Sequence, residues 1–360
     1  MVSSSEHRFG TSSPFSLGVE EELLLIGDDR RLVATAEDVI ARLDPTYADG
    51  VSTEIFATEI ELKTGICRDA GQAEADLTLL RRGARAAGAK LLGSGLHPDD
   101  KAAVQLIAKP RYDVVKADLA GILNATPAGL HVHVGIPDPE TAIRVANAMR
   151  LRLPLLQAIT ANSPFREGFD TGLASARTAS LRSYPRFEIP RAFADYDEFL
   201  TVADQLIAAA GVDDYTYLWW DVRPHPRFGT VEVRGMDVQP DVATNVAIAA
   251  LVQALAAKEV ERPTHTDLRR EAIAESYFQA ESHGLEARLM ADDGTAMAAA
   301  ELARQVLVEV RPFARELGGE AALEEVERIL REGNGADEQR RVQAEHGIEG
   351  LLAHLVERTS

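Results

Sequence analysis

The chain has 360 residues, with 38 Lys or Arg against 57 Asp or Glu, a formal charge of −19. That balance excludes a broad nucleic-acid footprint, which needs a basic surface, but not a phosphate ligand bridged to carboxylates by a divalent cation. The 46% apolar content can build a sizeable core, and a single cysteine, Cys67, rules out an internal disulfide or a cysteine-built metal cluster.

Residues 1–14, rich in Ser, Thr and Gly, read as a disordered arm. Strand-like runs follow at 16–26, 51–62, 90–94, 130–136, 217–222 and 230–234. Helical patterns lie between them at 69–89, 139–160 (opening on Pro139), 195–210 and 241–260. From about 264 the strand signals cease, and helices are expected at 266–283, 295–315, 320–332 and 336–357, broken at Gly294, Gly318–Gly319 and Gly333–Gly335. The order predicts an α+β chain: an antiparallel or mixed sheet of about six strands carrying helices, then a helical C-terminal segment. The start of the sequence has no apolar signal region and the stretch 247–257 is too short to span a bilayer, so the expectation is a cytoplasmic protein without a membrane partner.

Five motifs carry chemistry. In Gly18-Val19-Glu20-Glu21-Glu22-Leu23, strand alternation puts Glu20 and Glu22 on one face and Glu21 on the other. Two carboxylates on one face of an apolar strand need a cation or lie in solvent. Glu59 and Glu61 also share a face. Glu54 joins it only through a bulge or bend, and Glu59 reads as a surface carboxylate. His131 and His133 project together from Gly129–Gly135, as surface residues or as ligands that suit Mg²⁺ or Mn²⁺ beside carboxylates. Glu232 and Arg234 form either a structural ion pair or a metal ligand beside a phosphate-binding cation. The loop from Asn162 to Arg177, continuing to Arg182, Arg186 and Arg191, is an ordinary surface loop or an anion-binding one, with Arg177 the best candidate. Cys67 reads as a buried thiol. No Gly-rich phosphate loop, dinucleotide fingerprint, His-Glu-x-x-His or Gly-x-Ser-x-Gly is present.

In this order, with Asn162-Ser163-Pro164-Phe165 and Trp219-Trp220-Asp221-Val222-Arg223-Pro224, the motifs resemble the YbdK-type carboxylate–amine ligases, the glutamate–cysteine ligase type 2 family of the glutamine-synthetase-like superfamily. The resemblance runs from about residue 15 to 240. It implies one catalytic domain over 15–360, with a curved, mainly antiparallel sheet holding Mg²⁺–ATP and a helical tail from about 264. It implies metal ligation by Glu20, Glu22, Glu54, Glu61, His131 and Glu232 around about two or three ions. His131 and His133 would lie at the nucleotide phosphates, and Arg234 and Arg177 would contact phosphate or substrate carboxylate. Two segments depart from the family pattern: Phe187-Glu188 stands where Thr-Gly is usual, and Asp99 follows His97-Pro98.

The implied reaction is ATP-dependent amide formation through an acyl phosphate, nominally from glutamate and cysteine, with small-molecule partners and a homodimer compatible with the family. A non-catalytic nucleotide-binding protein and a metal-dependent hydrolase are the alternatives from other classes.

Overall fold

The computed structural model describes residues 7–101, 104–119 and 122–360. In chain order the strands are β1 (Leu17–Leu25), β2 (Val51–Thr53), β3 (Glu59–Lys63), β4 (Leu91–Leu92), β5 (Gly129–Gly135), β6 (Phe165–Arg166), β7 (Phe169–Asp170), β8 (Val222–His225), β9 (Thr230–Asp237), β10 (Arg288–Met290) and β11 (Ala296–Ala298). The helices are α1 (Ala36–Arg42), α2 (Ala70–Ala86), α3 (Pro110–Leu119), α4 (Pro139–Thr160), α5 (Ala176–Leu181), α6 (Tyr196–Ala210), α7 (Val242–Glu261), α8 (Arg270–His283), α9 (Ala299–Glu316), α10 (Leu323–Glu332) and α11 (Gly335–Thr359).

One sheet organises the chain, in the order β2-β3-β1-β5-β9-β8, with β4 paired to the far end of β1. Its pairings are antiparallel, which matches the expected α+β architecture. On the back face Leu17, Val19, Leu130, Val132, Val134, Val231 and Val233 share one core with α4 and α7. Alternation along each strand then leaves the polar side chains on the front. Helix α4 begins at Pro139 because Asp138 caps it, its carboxylate accepting from Thr141 N at 2.8 Å.

Helix α7 is long and apolar enough to cross a membrane by length and composition, but it is buried as the central core helix. Its Asn245 and the α2 residue Arg81 both reach the back-face Glu21.

The structure corrects several boundaries. The run 51–62 is two strands, because the chain reverses at 54–58, where Phe56 bridges Leu106. The aromatic run 217–222 is not a strand: Tyr215–Tyr217 forms a 3-10 turn capped by Asp214, and pairing starts at Val222. The segment after 264 is not wholly helical, since β10 and β11 form a small ribbon before α9. Of the arm expected over 1–14, residues 1–6 lie outside the described residues. Residues 7–14 are tied down: Phe9 is buried, Arg8 N donates to Pro226 O and Gly10 N to Ile136 O, both at 2.9 Å.

Candidate active site

The strand register assembles the front face. Glu22 stands opposite Glu61 across β1 and β3, and Glu20 opposite His131 across β1 and β5. His133 stands opposite Gly18 on one side and Glu232 on the other. Gly18 leaves space beside His133, whose Cβ would be 3.4 Å from any Cβ placed there. Gly129 matters more, because a Cβ at that position would fall on the Arg177 guanidinium and reach within 3.1 Å of Glu22 Oε2. Instead its N–H donates to Glu22 at 2.5 Å.

A compact group forms where three strands meet. His133 Nε2 lies 3.5 Å from Glu20 Oε1 and 3.8 Å from Glu232 Oε1. Ligand atoms of the three residues all fall within 4.8 Å of one another. His133 Nε2 is buried with no hydrogen-bond partner among the described residues, while its Nδ1 is engaged with Thr230 at 2.9 Å. These separations are too long for hydrogen bonds and suit atoms arranged around a shared ion with bonds of about 2 Å. Two carboxylates and one imidazole favour a hard or borderline divalent cation, so the residues fit the Mg²⁺ or Mn²⁺ that the family implies. His131 sits beside this group, 3.2 Å from Glu20 Oε2, 3.6 Å from Glu22 Oε1 and 3.5 Å from Arg234. The tight group therefore contains His133, where the family resemblance assigns metal ligation to His131.

Glu232 also accepts from Arg223 Nε at 2.6 Å and from Arg234 Nη1 at 2.5 Å. Burial alone would raise its carboxyl, but Arg223, Arg234 and His133 hold it well below the usual range. Glu20 behaves likewise: burial opposes ionisation, and His133 and His131 override it. The two imidazoles thus face ionised carboxylates, and after the cost of burial Glu232 and Glu20 raise His133 above its ordinary value.

Glu54, Glu59 and Glu61 differ. Burial raises each carboxyl, and neighbouring carboxylates add to it. Glu61, Glu22 and Glu20 act on Glu54; Glu22 and Glu54 act on Glu59; Glu20 acts on Glu61. Lys63 offsets part of this at Glu61, donating at 3.0 Å. The chain reversal at 54–58 is the bend that Glu54 needs, and it brings Glu54 into one cavity with Glu22, Glu59, His131, Arg177 and Arg234. Glu59 is a correction. It is 2% exposed rather than on the surface, and its Oε2 has no partner among the described residues.

Arg177 lies in the first turn of α5, a short helix within the expected loop, capped by Ser175 accepting from Thr178 N. It is buried on the cavity wall, its Nη1 3.7 Å from Asp237 Oδ1, with Nε and Nη1 unpartnered among the described residues. Asp237 belongs to none of the sequence motifs, yet it holds this wall together by accepting from Asn162 N at 2.9 Å, Ser163 Oγ at 2.7 Å and Ser175 Oγ at 2.9 Å. Arg182 pairs with Asp221 at 2.9 Å and Arg191 with Glu198 at 2.8 Å, so both have structural partners. Arg186 takes φ +64° and lies over Trp219. That places Phe187 on the cavity wall, while Glu188 points out to Arg270. Asp99 pairs with Arg31 at 2.8 Å, away from the cavity. Cys67 is buried, and its thiol is pushed up to about 11 by burial.

The profile of the glutamate–cysteine ligase family 2 matches residues 16–357. The chain belongs to this family. A relative from Rubrobacter xylanophilus, provisionally assigned as glutamate–cysteine ligase 2-3, is 40% identical over 99% of this chain and 100% of its own length. The glutamate–cysteine ligase of Haloferax volcanii is 34% identical over 94% of this chain and 96% of its own. Among solved structures, the glutamate–cysteine ligase of Francisella tularensis, in complex with AMP, superposes with a TM-score of 0.73 at 13% identity, over 97% of this chain and 89% of that one. A bifunctional glutathione synthetase from Pasteurella multocida gives 0.70 at 14% identity, over 96% of this chain and 52% of that one. At such identities the structural likeness establishes a shared fold. Family membership rests on the profile and the closer relatives, and it agrees with the family that the sequence motifs indicate.

Proposed function

We propose that this family 2 member is an ATP-dependent carboxylate–amine ligase, with glutamate and cysteine as its nominal pair. The observation that carries the reading is the buried front face, where Glu20, His133 and Glu232 converge beside Arg234. Glu20, His133 and Glu232, with Glu22, Glu54, Glu61 and His131 around them, would hold Mg²⁺ or Mn²⁺, about two or three ions. When bound, such ions neutralise phosphate oxygens during phosphoryl transfer.

The substrate carboxylate attacks the γ-phosphorus of ATP, the bond to the β-phosphate bridging oxygen breaks, and ADP leaves. The neutral amine then attacks the acyl phosphate carbonyl, inorganic phosphate departs with the C–O electron pair, and the nitrogen gives up one proton to the departing phosphate. Arg234, held by Glu232 on one side, presents its guanidinium to the developing phosphate charge. Arg223 acts differently. It donates to Glu232 and to the Leu218 and Thr216 carbonyls, which fixes the Glu232 carboxylate in place. Arg177, with unpartnered donors in the cavity, takes a substrate carboxylate. The apolar wall of α3 and the 181–187 segment excludes water, which would otherwise hydrolyse the acyl phosphate.

The test is an assay of the full chain with Mg²⁺, ATP and a panel of amino acids, followed for ADP and for a new amide. The reading predicts that ADP and amide appear together. ADP-free hydrolysis, or no ADP with any pair, contradicts it.

A further inference from the structure

Glu59 plays no part in the steps of ligation. It is 2% exposed, its Oε2 is unpartnered among the described residues, and it lines the same cavity as Arg177 and Arg234. A buried carboxyl oxygen without a partner is costly and calls for a complementary group. Beyond a backbone hydrogen bond from Phe56, the groups acting most strongly on it are the acids Glu22, Glu54 and Glu61, so its Oε2 is left without a complementary group among the described residues. The tight group of potential metal ligands among the described residues is Glu20, His133 and Glu232, without Glu59.

The register says what does fit. Glu59 stands opposite Leu24, one same-face step beyond the Glu22–Glu61 pair. That step is about 7 Å along a strand. In an amino acid such as glutamate, the side-chain carboxyl carbon and the ammonium nitrogen are on the order of 5 Å apart when extended. A donor with its reacting carboxylate near Glu22, His131 and Arg234 can therefore place its ammonium at Glu59. Arg177 offers unpartnered donors to the remaining carboxylate. An acidic oxygen and a guanidinium with donors to spare, both buried on the wall of one cavity, complement the two ends of a zwitterion.

We propose that Glu59 binds the ammonium group of the carboxylate donor, so that the enzyme selects an α-amino acid with a side-chain carboxylate over the same diacid without its amino group. This rests on the ligase reading and adds a specificity-determining residue to it.

The experiment compares glutamate with glutarate, which lacks only the amino group, at fixed cysteine, ATP and Mg²⁺. Wild type, Glu59→Gln and Glu59→Leu are assayed for ADP and amide. Wild type should prefer glutamate in kcat/KM. Both variants should narrow that preference by about tenfold to a hundredfold, through a higher KM for glutamate. Rates with glutarate and the Mg²⁺ activation midpoint should stay within about twofold of wild type. An unchanged preference in both variants overturns the proposal, as does equal loss on both donors or a shifted Mg²⁺ midpoint. If wild type shows no turnover with any donor, the ligase reading fails. Calorimetric binding of glutamate and glutarate then decides the ammonium contact by itself: a preference for glutamate lost on Glu59→Gln supports it, and none in wild type ends it.

Discussion

Glu20, Glu21 and Glu22 are consecutive on one strand, yet the two faces of that strand treat them in opposite ways. On the back, Glu21 is fully buried and fully partnered. Arg81 donates to both of its oxygens at 2.8 and 3.0 Å, and Asn245 adds a bond of 2.7 Å. Arg81 also donates to the Thr359 and Gln239 carbonyls, so the pair ties α2, α7 and the C-terminal end of α11 to the sheet. On the front, Glu20 and Glu22 meet imidazoles at distances between 3.2 and 3.6 Å, and His133 Nε2 and Glu59 Oε2 are left without partners among the described residues. A buried charge whose partners are complete belongs to the scaffold. One whose partners are incomplete waits for something the chain does not contain.

The largest expected effect comes from the complete side. Arg81→Met leaves Glu21 buried and unpaired, and should cost about 3–5 kcal/mol of unfolding free energy. Chemical denaturation measures this, and activity per folded molecule should survive. A loss below about 1 kcal/mol would erase the contrast between the faces. Next, Glu20→Gln should lower ATP turnover by about a hundredfold to a thousandfold, with a loss of melting temperature smaller than that of Arg81→Met as its imidazole contacts weaken, as steady-state ADP release and thermal melts would show. Glu232→Gln should lose turnover to a similar extent, but it also strips Arg223 and Arg234 of their shared acceptor, so it should lose stability as well. Arg177→Lys should raise KM for the acid substrate about tenfold while kcat changes less, since an ammonium cannot reproduce the guanidinium fork. An equal drop in kcat and kcat/KM, with KM unchanged, would place Arg177 in the chemical step instead.

The smallest effect is a pH dependence, and its sign separates the residues. Burial first, then neighbouring acids, raises Glu54, Glu59 and Glu61. A raised carboxyl stays protonated in the fold at pH values where the unfolded chain has ionised, so stability falls as pH climbs from about 4.5 toward the raised values. His133, also raised, contributes stability that is fully present below about 6.5 and lost as pH passes its higher folded value. Glu20 and Glu232 are lowered, so their contribution is present above about 4.5 and is lost only in more acid solution. Metal-free protein should therefore melt at a lower temperature at about pH 8 than at about pH 5.5, and Mg²⁺ should flatten the slope. A rising slope without Mg²⁺ would contradict the assigned environments.

Much of this is legible in the sequence, and the parts that are not share one physical cause. Alternation in β1 separates Glu21 from Glu20 and Glu22, and the Asp138–Pro139 start locates α4. Alternation assigns a side but not a depth. Glu59 reads as exposed because its burial comes from distant segments, α3, residues 123–127 and the 181–187 turn, that line the cavity with it. The reversal at 54–58 carries no glycine or proline signal, so the run looks like one long strand. Asp237 is invisible for a similar reason: a lone aspartate at a strand end becomes an anchor only when Asn162, Ser163 and Ser175 arrive from another part of the chain.

The most direct test of the contrast between the two faces is Mn²⁺ binding, measured by electron paramagnetic resonance on wild type, Glu20→Gln and Glu21→Gln, each at a temperature where it is folded. Glu20→Gln should lose at least one bound ion or weaken it by about tenfold or more, while Glu21→Gln retains the wild-type stoichiometry and affinity. Equal Mn²⁺ binding by wild type and Glu20→Gln would contradict a metal-holding front face.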